Sequence, residues 1–293
     1  MATTATVTTD LPGIVNEIRT LSYQYYTQTG VMRRLVTPQT GVGYQLVEPY
    51  LDPTQVSTAA ATEGTEAAAT TVISATRRTY TASERYTWTK LTDRSEKESQ
   101  ESVKAFHSES HGYAHAAYVE TQLLGCLASG TSTVTATSAT GLTWAKLAAA
   151  RTLLEAPAAS ATRPAPKPYS LVISPAQWYW FAKQLTPTST IPVAAGSISD
   201  QVQQKYHVTS LIGGVDVYQS SYFTASATGY QKAGMFSKAA IGLFVPNGLD
   251  YTLEAQRNAK LRGFELVGTT TFGARIRVPS YCVTVAATST TPS

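Results

Sequence analysis

The architecture of this chain is decided by residues 77–92, which read RRTYTASERYTWTKLT. Even positions carry Tyr80, Tyr86 and Trp88, and threonine fills odd positions on either side of them. A period of two in β-branched and aromatic residues is typical of a β-strand. We therefore predict an extended segment with two different faces.

The residues around this strand contain too little apolar surface to fold alone. Residues 52–92 include twelve threonines and eight alanines, but few large apolar side chains. Burying so few side chains does not offset the entropy lost when the chain is ordered. We predict a long hairpin over residues 41–92, with its loop at 52–69 and its return along 70–91. Such a limb must lie on another surface, and a second copy of the chain is the simplest candidate.

A long helix is predicted directly after the hairpin. Asp93 stands at an N-cap position with Glu96 three residues on, which is the spacing of a capping box. Apolar side chains then recur at helical spacing until Gly130 ends the run. The predicted helix has about 35 residues and is roughly 50 Å long.

The remaining pattern mixes helices and strands, so the fold class is α+β. Helices are predicted over 12–30, near Trp144 to Leu154, and after Ser174-Pro175, where serine caps and proline opens the helix. Strands are predicted over 169–173, 264–277 and 281–285. Hairpins are predicted at Gly213-Gly214 and at Asn247-Gly248.

Composition argues against a catalytic or sequence-reading protein. Charged residues make up only 14 % of the chain, and the net charge of +4 is far from the dense basic patch of a nucleic-acid reader. No P-loop, nucleophile elbow or zinc-protease motif occurs, and the six aspartates are scattered. We predict no enzyme activity, no catalytic residue, no metal site and no cofactor. The two distant cysteines imply no disulfide framework.

Three groups of residues leave alternatives open. The first group is His107, His111 and His115, which share one face of the long helix. They could form a polar stripe, make pH-sensitive contacts or bind a metal ion. Basic residues including Arg77, Arg78 and the arginines between 257 and 277 suit salt bridges to neighbouring subunits or contacts to phosphates. The aromatic run at residues 178–181 suits core packing or a stacking platform.

Several stretches, in this order, resemble the major capsid proteins of tailed bacteriophages, which have the Hong Kong 97-type fold. Ala61-Thr62-Glu63-Gly64 is similar to the turn near the tip of that family's extended loop, and residues 88–93 to the strand exit into its spine helix. Residues 169–175 and 214–220 resemble elements of its axial domain. Residues 236–256 and 272–274 resemble its closing peripheral strands.

The resemblance implies an N-terminal arm (1–40), an extended loop (41–92), a peripheral domain with the spine helix (93–130 and 234–293) and an axial domain (131–233). It implies a structural head protein that forms hexamers and pentamers of an icosahedral shell around double-stranded DNA. Expected partners are copies of itself, portal and scaffolding proteins, cement or decoration proteins as a further option, and the packaged DNA through non-specific contacts, with no membrane. The expected location is the virion, after assembly in the host cytoplasm. A scaffold is expected to be separate or absent, because the arm begins close to Met1.

Within this resemblance, the candidate inter-subunit contacts lie on the extended loop. They are Glu63, Glu66, Arg77, Arg78, Tyr80, Tyr86 and Trp88. The loop carries one lysine, Lys90, at its base, so the covalent cross-link of some family members is not expected. Two rival functions are an encapsulin-like cellular compartment and, from a different class, a soluble carbohydrate-binding or hydrolase domain.

Overall fold

The computed structural model describes residues 11–51, 75–94, 103–135, 141–156, 163–184, 215–224, 230–247, 250–260 and 262–288. The helices are α1 (Leu11–Thr29), α2 (Met32–Leu35), α3 (Val103–Cys126), α4 (Trp144–Glu155) and α5 (Pro175–Gln184). The strands are β1 (Thr37–Gly41), β2 (Gln45–Leu51), β3 (Ala75–Thr81), β4 (Ser83–Thr92), β5 (Ser132–Thr135), β6 (Tyr169–Ile173), β7 (Val215–Gln219), β8 (Tyr230–Ser237), β9 (Ile241–Pro246), β10 (Tyr251–Asn258), β11 (Gly263–Ile276) and β12 (Cys282–Thr288). The predicted loop turn with Glu63 and Glu66, the capping glutamate Glu96 and the Gly213-Gly214 turn lie outside the described residues.

One sheet, which we call the peripheral sheet, has the order β1-β9-β11-β10, and β4 pairs with β11. Helices α1 and α3 cover this sheet and pack closely on each other. Gly112 on α3 permits this approach, because a Cβ there would lie 2.6 Å from the carbonyl oxygen of Ser22 on α1. The helix predicted over residues 12–30 is confirmed as α1, and its Ile18 and Tyr26 are buried in the core.

The hairpin predicted around Asn247-Gly248 is wrong, because β11 lies between β9 and β10. The first part of β11 pairs with β10, as Tyr251 opposite Thr270 shows, and its last residues pair with β9, as Gly273 opposite Phe244 shows. A fourteen-residue strand is long enough to pair with both in turn. The tight connection is instead between β10 and β11, where Arg262 adopts a positive φ of 48°.

A second sheet, which we call the axial sheet, has the order β5-β12-β8-β6-β7. Helices α4 and α5 pack on it around a separate core that includes Leu147, Phe181 and Val285. Helix α5 begins as predicted, since Ser174 Oγ accepts from the backbone of Gln177 while the Gln177 side chain accepts from the backbone N–H of Ser174, at 3.0 Å.

The closing strand β12 runs between β5 and β8 of the axial sheet. The domain prediction places residues 234–293 in the peripheral domain, and that division stays a prediction. Gly130, predicted to end the long helix, follows a 3₁₀ turn and has ordinary extended geometry, with φ −62° and ψ 147°. Its role is close packing, because a Cβ there would lie 2.5 Å from the carbonyl oxygen of Cys282 on β12.

Strands β2 and β3 form an antiparallel ribbon from Gln45 opposite Thr81 to Leu51 opposite Ala75. This confirms the hairpin predicted at the base of residues 41–92. After Ala82 the chain leaves the ribbon, and β4 joins β11 along ten residue pairs from Ser83 to Thr92. The base of the loop is therefore built into the peripheral sheet.

Candidate assembly site at the base of the extended loop

The ribbon β2–β3 is fixed to the peripheral sheet by Tyr80. Its side chain is only 1 % exposed and packs with Ala82 and Phe244. Gly242 makes room for the ring, because a Cβ there would lie 2.6 Å from the Tyr80 hydroxyl. Burial, followed by the charge of Glu48, raises the pKa of Tyr80 to about 12, so its hydroxyl stays protonated and donates.

Glu48 is the common hydrogen-bond acceptor for several polar side chains at the base of the loop. Its carboxylate accepts hydrogen bonds from Gln39 at 3.0 Å, Tyr80 at 3.2 Å and the Arg277 guanidinium at 2.8 Å. Burial disfavours the charged carboxylate, but these donors outweigh burial and hold the pKa of Glu48 below its usual value. The ribbon is thus joined to β1 and to the end of β11.

The outward face of β4 and the adjoining ribbon expose large apolar side chains. Tyr86 is 75 % exposed and Trp88 is 51 % exposed. Lys90 lies over the Trp88 ring at 4.4 Å from its centroid. Val42, Tyr44 and Val47 of the neighbouring segment are also exposed. Neighbouring apolar side chains exposed together are typical of a surface that a partner covers.

The inward face of β4 meets α3 through a chain of hydrogen bonds that we call the histidine–threonine ladder: His107, Thr89, His111, Thr87, His115 and Gly268. Thr89 Oγ1 lies 3.1 Å from His107 Nδ1 and 2.8 Å from His111 Nε2. Thr87 Oγ1 lies 2.6 Å from His111 Nδ1 and 2.9 Å from His115 Nε2. His115 Nε2 also lies 3.1 Å from the carbonyl oxygen of Gly268 on β11.

The spacings of helix and strand explain why the ladder closes. Four residues of α-helix advance roughly 6 Å, and two residues of strand advance just under 7 Å. Alternate threonines of β4 therefore fit between histidines four residues apart. Gly268 leaves the necessary space, because a Cβ there would lie 2.9 Å from Thr87 Oγ1 and 3.0 Å from His111 Nδ1.

The pKa values of all three histidines are lowered. Burial is the largest cause for each ring, and the neighbouring histidines lower the pKa of His111 further, to about 4. The backbone contact to Gly268 acts in the opposite direction on His115, but burial outweighs it. The three rings are therefore neutral near pH 7.

These contacts show what surrounds the predicted histidine stripe. The rings meet threonines between helix and strand, and they do not converge on one point. In the ranges that the structure describes, no group of three or more His, Cys, Asp or Glu side chains is placed to hold a metal ion. The stripe is a buried polar contact within the subunit.

The other predicted contact residues have different surroundings. Tyr80 is enclosed within its own subunit and has no surface left for a neighbour, so we remove it from the predicted contact set. Arg77 is exposed, and Arg78 is half-buried opposite Glu48 in the ribbon. Tyr86 and Trp88 keep the exposure that an inter-subunit contact requires.

Several arginines assigned to neighbouring subunits or phosphates have partners inside the subunit. Arg257 pairs with Asp93 at 2.9 Å, and Arg277 pairs with Glu48. Arg275 donates to the carbonyl oxygen of Thr79 at 2.7 Å. Phe181 of the aromatic run stacks on Trp144 in the axial core, which confirms core packing for that residue.

Sequence reasoning missed Thr87, Thr89 and Gly268 as partners of the histidines. The signal was present, because threonines at strand spacing occur near histidines at helical spacing in the sequence. What it lacked was the relative direction of the two elements, which only their packing fixes.

A family model described as phage capsid protein matches residues 107–285, which is more than half of the chain. The chain belongs to the phage capsid protein family. The match includes the spine helix from its first ladder histidine, the peripheral strands β9 to β11, and the axial sheet apart from the last residues of β12. It is a phage capsid protein and thus a structural protein of the virion.

Solved structures show the same fold at low sequence identity. The capsid structure of cyanophage P-SCSP1u aligns with a TM-score of 0.68 and 16 % identity, covering 89 % of each chain. Mycobacterium phage Che8 aligns with a TM-score of 0.66 and 14 % identity, covering 87 % of this chain and 90 % of the other. The holo encapsulin complex of Synechococcus elongatus aligns with a TM-score of 0.60 and 10 % identity, covering 91 % of each. The predicted Hong Kong 97-type fold is confirmed.

The sequence matches no curated protein. Among the helices that the structure describes, none combines the length and apolarity needed to cross a membrane.

Proposed function

We propose that this capsid protein assembles into hexamers and pentamers of an icosahedral shell that encloses double-stranded DNA. Family membership gives the structural role, and the proposal concerns the way subunits join. We also propose a role without enzyme activity, assembly in the host cytoplasm, and portal and scaffolding proteins as partners.

The observation that carries the proposal is the two-sided base of the extended loop. Tyr80, Glu48 and the ladder fix its inner side to the subunit. Tyr86 and Trp88 on its outer side remain exposed. Exposed apolar surface on a strand that is held in place is suited to bind a folded partner. In a closed symmetric shell, the neighbouring copies of the subunit provide that partner.

Electron microscopy of the purified protein tests the assembly. The expected result is closed shells whose subunits group in sixes and fives. Small particles alone, in all salt and pH conditions tried, would contradict the proposal. Treating shells from infected or expressing cells with nuclease and then analysing their contents tests whether they protect double-stranded DNA.

A loop replacement tests the role of the limb without disturbing its base. Leu51 and Ala75 are paired in the ribbon, so a two-residue Asn-Gly turn can replace residues 52–74 and close the hairpin. We expect a folded subunit that no longer forms shells. Normal shells from this variant would show that the distal loop is not an inter-subunit element.

An encapsulin-like compartment is the second candidate, because the chain aligns over most of its length with an encapsulin. The two functions differ in their contents. A cellular compartment would enclose protein cargo, and a phage head would enclose DNA, so mass spectrometry and nucleic-acid analysis of purified shells separate them.

A further inference from the structure

We propose that the histidine–threonine ladder is a proton-sensitive latch that holds β4 on the spine helix α3 at neutral pH and loosens it when the histidines are protonated. The latch is a property of the subunit, so it does not depend on whether or how shells form.

The Gly268 carbonyl fixes the direction of the hydrogen bonds at one end of the ladder, and the rest follow when each threonine hydroxyl gives its single hydrogen to a ring. The carbonyl oxygen of Gly268 only accepts, so His115 Nε2 carries the proton and donates both to it and to Thr87 Oγ1. The Thr87 hydroxyl then donates to His111 Nδ1, which leaves the proton of neutral His111 on Nε2.

The same order continues to the end of the ladder. His111 Nε2–H donates to Thr89 Oγ1, and the Thr89 hydroxyl donates to His107 Nδ1. Each threonine hydroxyl thus accepts from one ring and donates to the next. In this order His107 and His111 must be neutral because their Nδ1 atoms accept, whereas His115 only has to carry its proton on Nε2.

Protonation of His111 breaks this order. The new proton on Nδ1 points at the hydrogen of the Thr87 hydroxyl, which must turn away and lose its acceptor. The added charge also lies in a buried position between two other histidines. Both effects favour a separated strand, in which water solvates the ring.

Among the residues that the structure describes, the groups that face the ladder supply no compensating negative charge. From β4 the charged side chain on this face is Arg85, which donates to the Tyr118 hydroxyl at 3.0 Å. From β10 the ring of Tyr251 meets His115 edge-on at 5.2 Å, and its hydroxyl is bonded to Ser22 of α1. Arg257 of β10, farther along this face, pairs with Asp93.

On β11, Glu265 is the cross-strand neighbour of Lys90, and both lie on the face of the sheet that points away from the ladder. Tyr26 of α1 and Arg33 of α2 enclose Asp250 and bond to it. In the part of the chain that the structure describes, no carboxylate contributes to the lowered histidine pKa values.

The sign of the pH dependence follows from linkage. The histidine pKa values are lowered in the closed state, so opening takes up protons as the pH falls below about 6.5, the ordinary value for histidine. The latch is complete above that pH and weakens down to about 4, the pKa of His111. Between pH 7.5 and pH 5 we expect the opening of β4 to increase on the order of tenfold.

Hydrogen–deuterium exchange of the full-length protein, read by mass spectrometry and corrected for the intrinsic pH dependence of exchange, measures this opening. Peptides covering residues 83–92 should show the increase at pH 5. Peptides from β6 in the axial core are the internal reference and should remain unchanged. Equal corrected exchange of residues 83–92 at both pH values would overturn the proposal.

Two variants assign the effect to the ladder. His111→Gln keeps one acceptor and one donor but does not titrate, so the increase between pH 7.5 and pH 5 should fall at least threefold. An unchanged increase in this variant contradicts the latch.

Thr87→Val removes the central hydroxyl and should raise exchange already at pH 7.5, so that the additional increase at pH 5 is small. Thr87→Ser keeps the hydroxyl and should behave as the wild type. Thr252→Val, an exposed threonine on β10, is the matched control. If the valine and serine variants of Thr87 behave alike, the proposal is wrong even where His111→Gln fails to fold.

Discussion

The two faces of β4 carry residues of similar strand propensity, but one face is packed inside the subunit and the other is exposed. On the inner face Thr87 and Thr89 are bonded to the spine helix, and on the outer face Tyr86 and Trp88 lie open. The threonines are satisfied within one subunit, whereas the aromatic rings are not. The comparison teaches that the polar face of this strand is the internal one, and that its apolar face is available for a neighbour.

The largest expected difference in the free energy of unfolding is between alanine variants of Tyr80 and Tyr86, which both occupy even positions of the strand pattern. Tyr80→Ala removes a buried ring and should lower the free energy of unfolding by about 3–5 kcal/mol. Tyr86→Ala removes a ring that is 75 % exposed and should change it by no more than about 0.5 kcal/mol. Urea denaturation of purified subunits measures both.

Among subunits that remain folded, we expect Tyr86→Ala to reduce the yield of shells more than Tyr80→Ala does. Tyr86→Ala subunits are expected to fold normally and assemble poorly. Equal loss of stability in the two variants would show that the two tyrosines do not differ in the way we describe.

A smaller effect is expected from adding a methyl group beside the ladder. Gly268→Ala places a Cβ against Thr87 and His111 and should destabilise the subunit by about 1–3 kcal/mol. Gly125→Ala on α3 is the matched control, since a Cβ there meets nothing within 4 Å. Because alanine favours a helix, this control should be neutral or slightly stabilising in thermal unfolding. Similar losses in both variants would indicate a backbone effect unrelated to the ladder.

The smallest effect is expected at the ion pair of the loop base. Glu48→Gln should cost about 1 kcal/mol or less at pH 7, because Arg277 is partly exposed to solvent. The pKa of Glu48 is lowered in the fold, so its contribution is complete above the ordinary pKa of about 4.5 and is lost as pH falls through the lower folded value.

Denaturation of wild type and Glu48→Gln at pH 7 and pH 3.5 checks the sign. The difference between the two proteins should shrink at the lower pH. A difference that grows in acid would mean that Glu48 is stabilised in its protonated form.

Local signals in the sequence predicted most of the elements. Period two predicted β4, the N-cap serine and following proline at Ser174-Pro175 predicted the start of α5, and helical spacing predicted α1 and the spine helix. Pairing could not be predicted in the same way. Asn247-Gly248 has the residues of a hairpin turn, but the length of β11 and its packing place that strand between β9 and β10.

The same limit applied to the candidate site. Sequence identified the histidines and the aromatic residues of β4, but it treated Tyr80 like Tyr86 because both occupy even positions. The change of sheet at Ala82 turns one ring inward and leaves the other exposed. That change depends on pairing between β4 and β11, which are far apart in sequence.

The most direct test of the central claim is a high-resolution electron microscopy structure of the assembled shell. We predict that Tyr86 and Trp88 are covered by a neighbouring subunit, while Thr87 and Thr89 keep their contacts with the spine helix of their own subunit. A shell in which both aromatic side chains still face solvent in every subunit would contradict it.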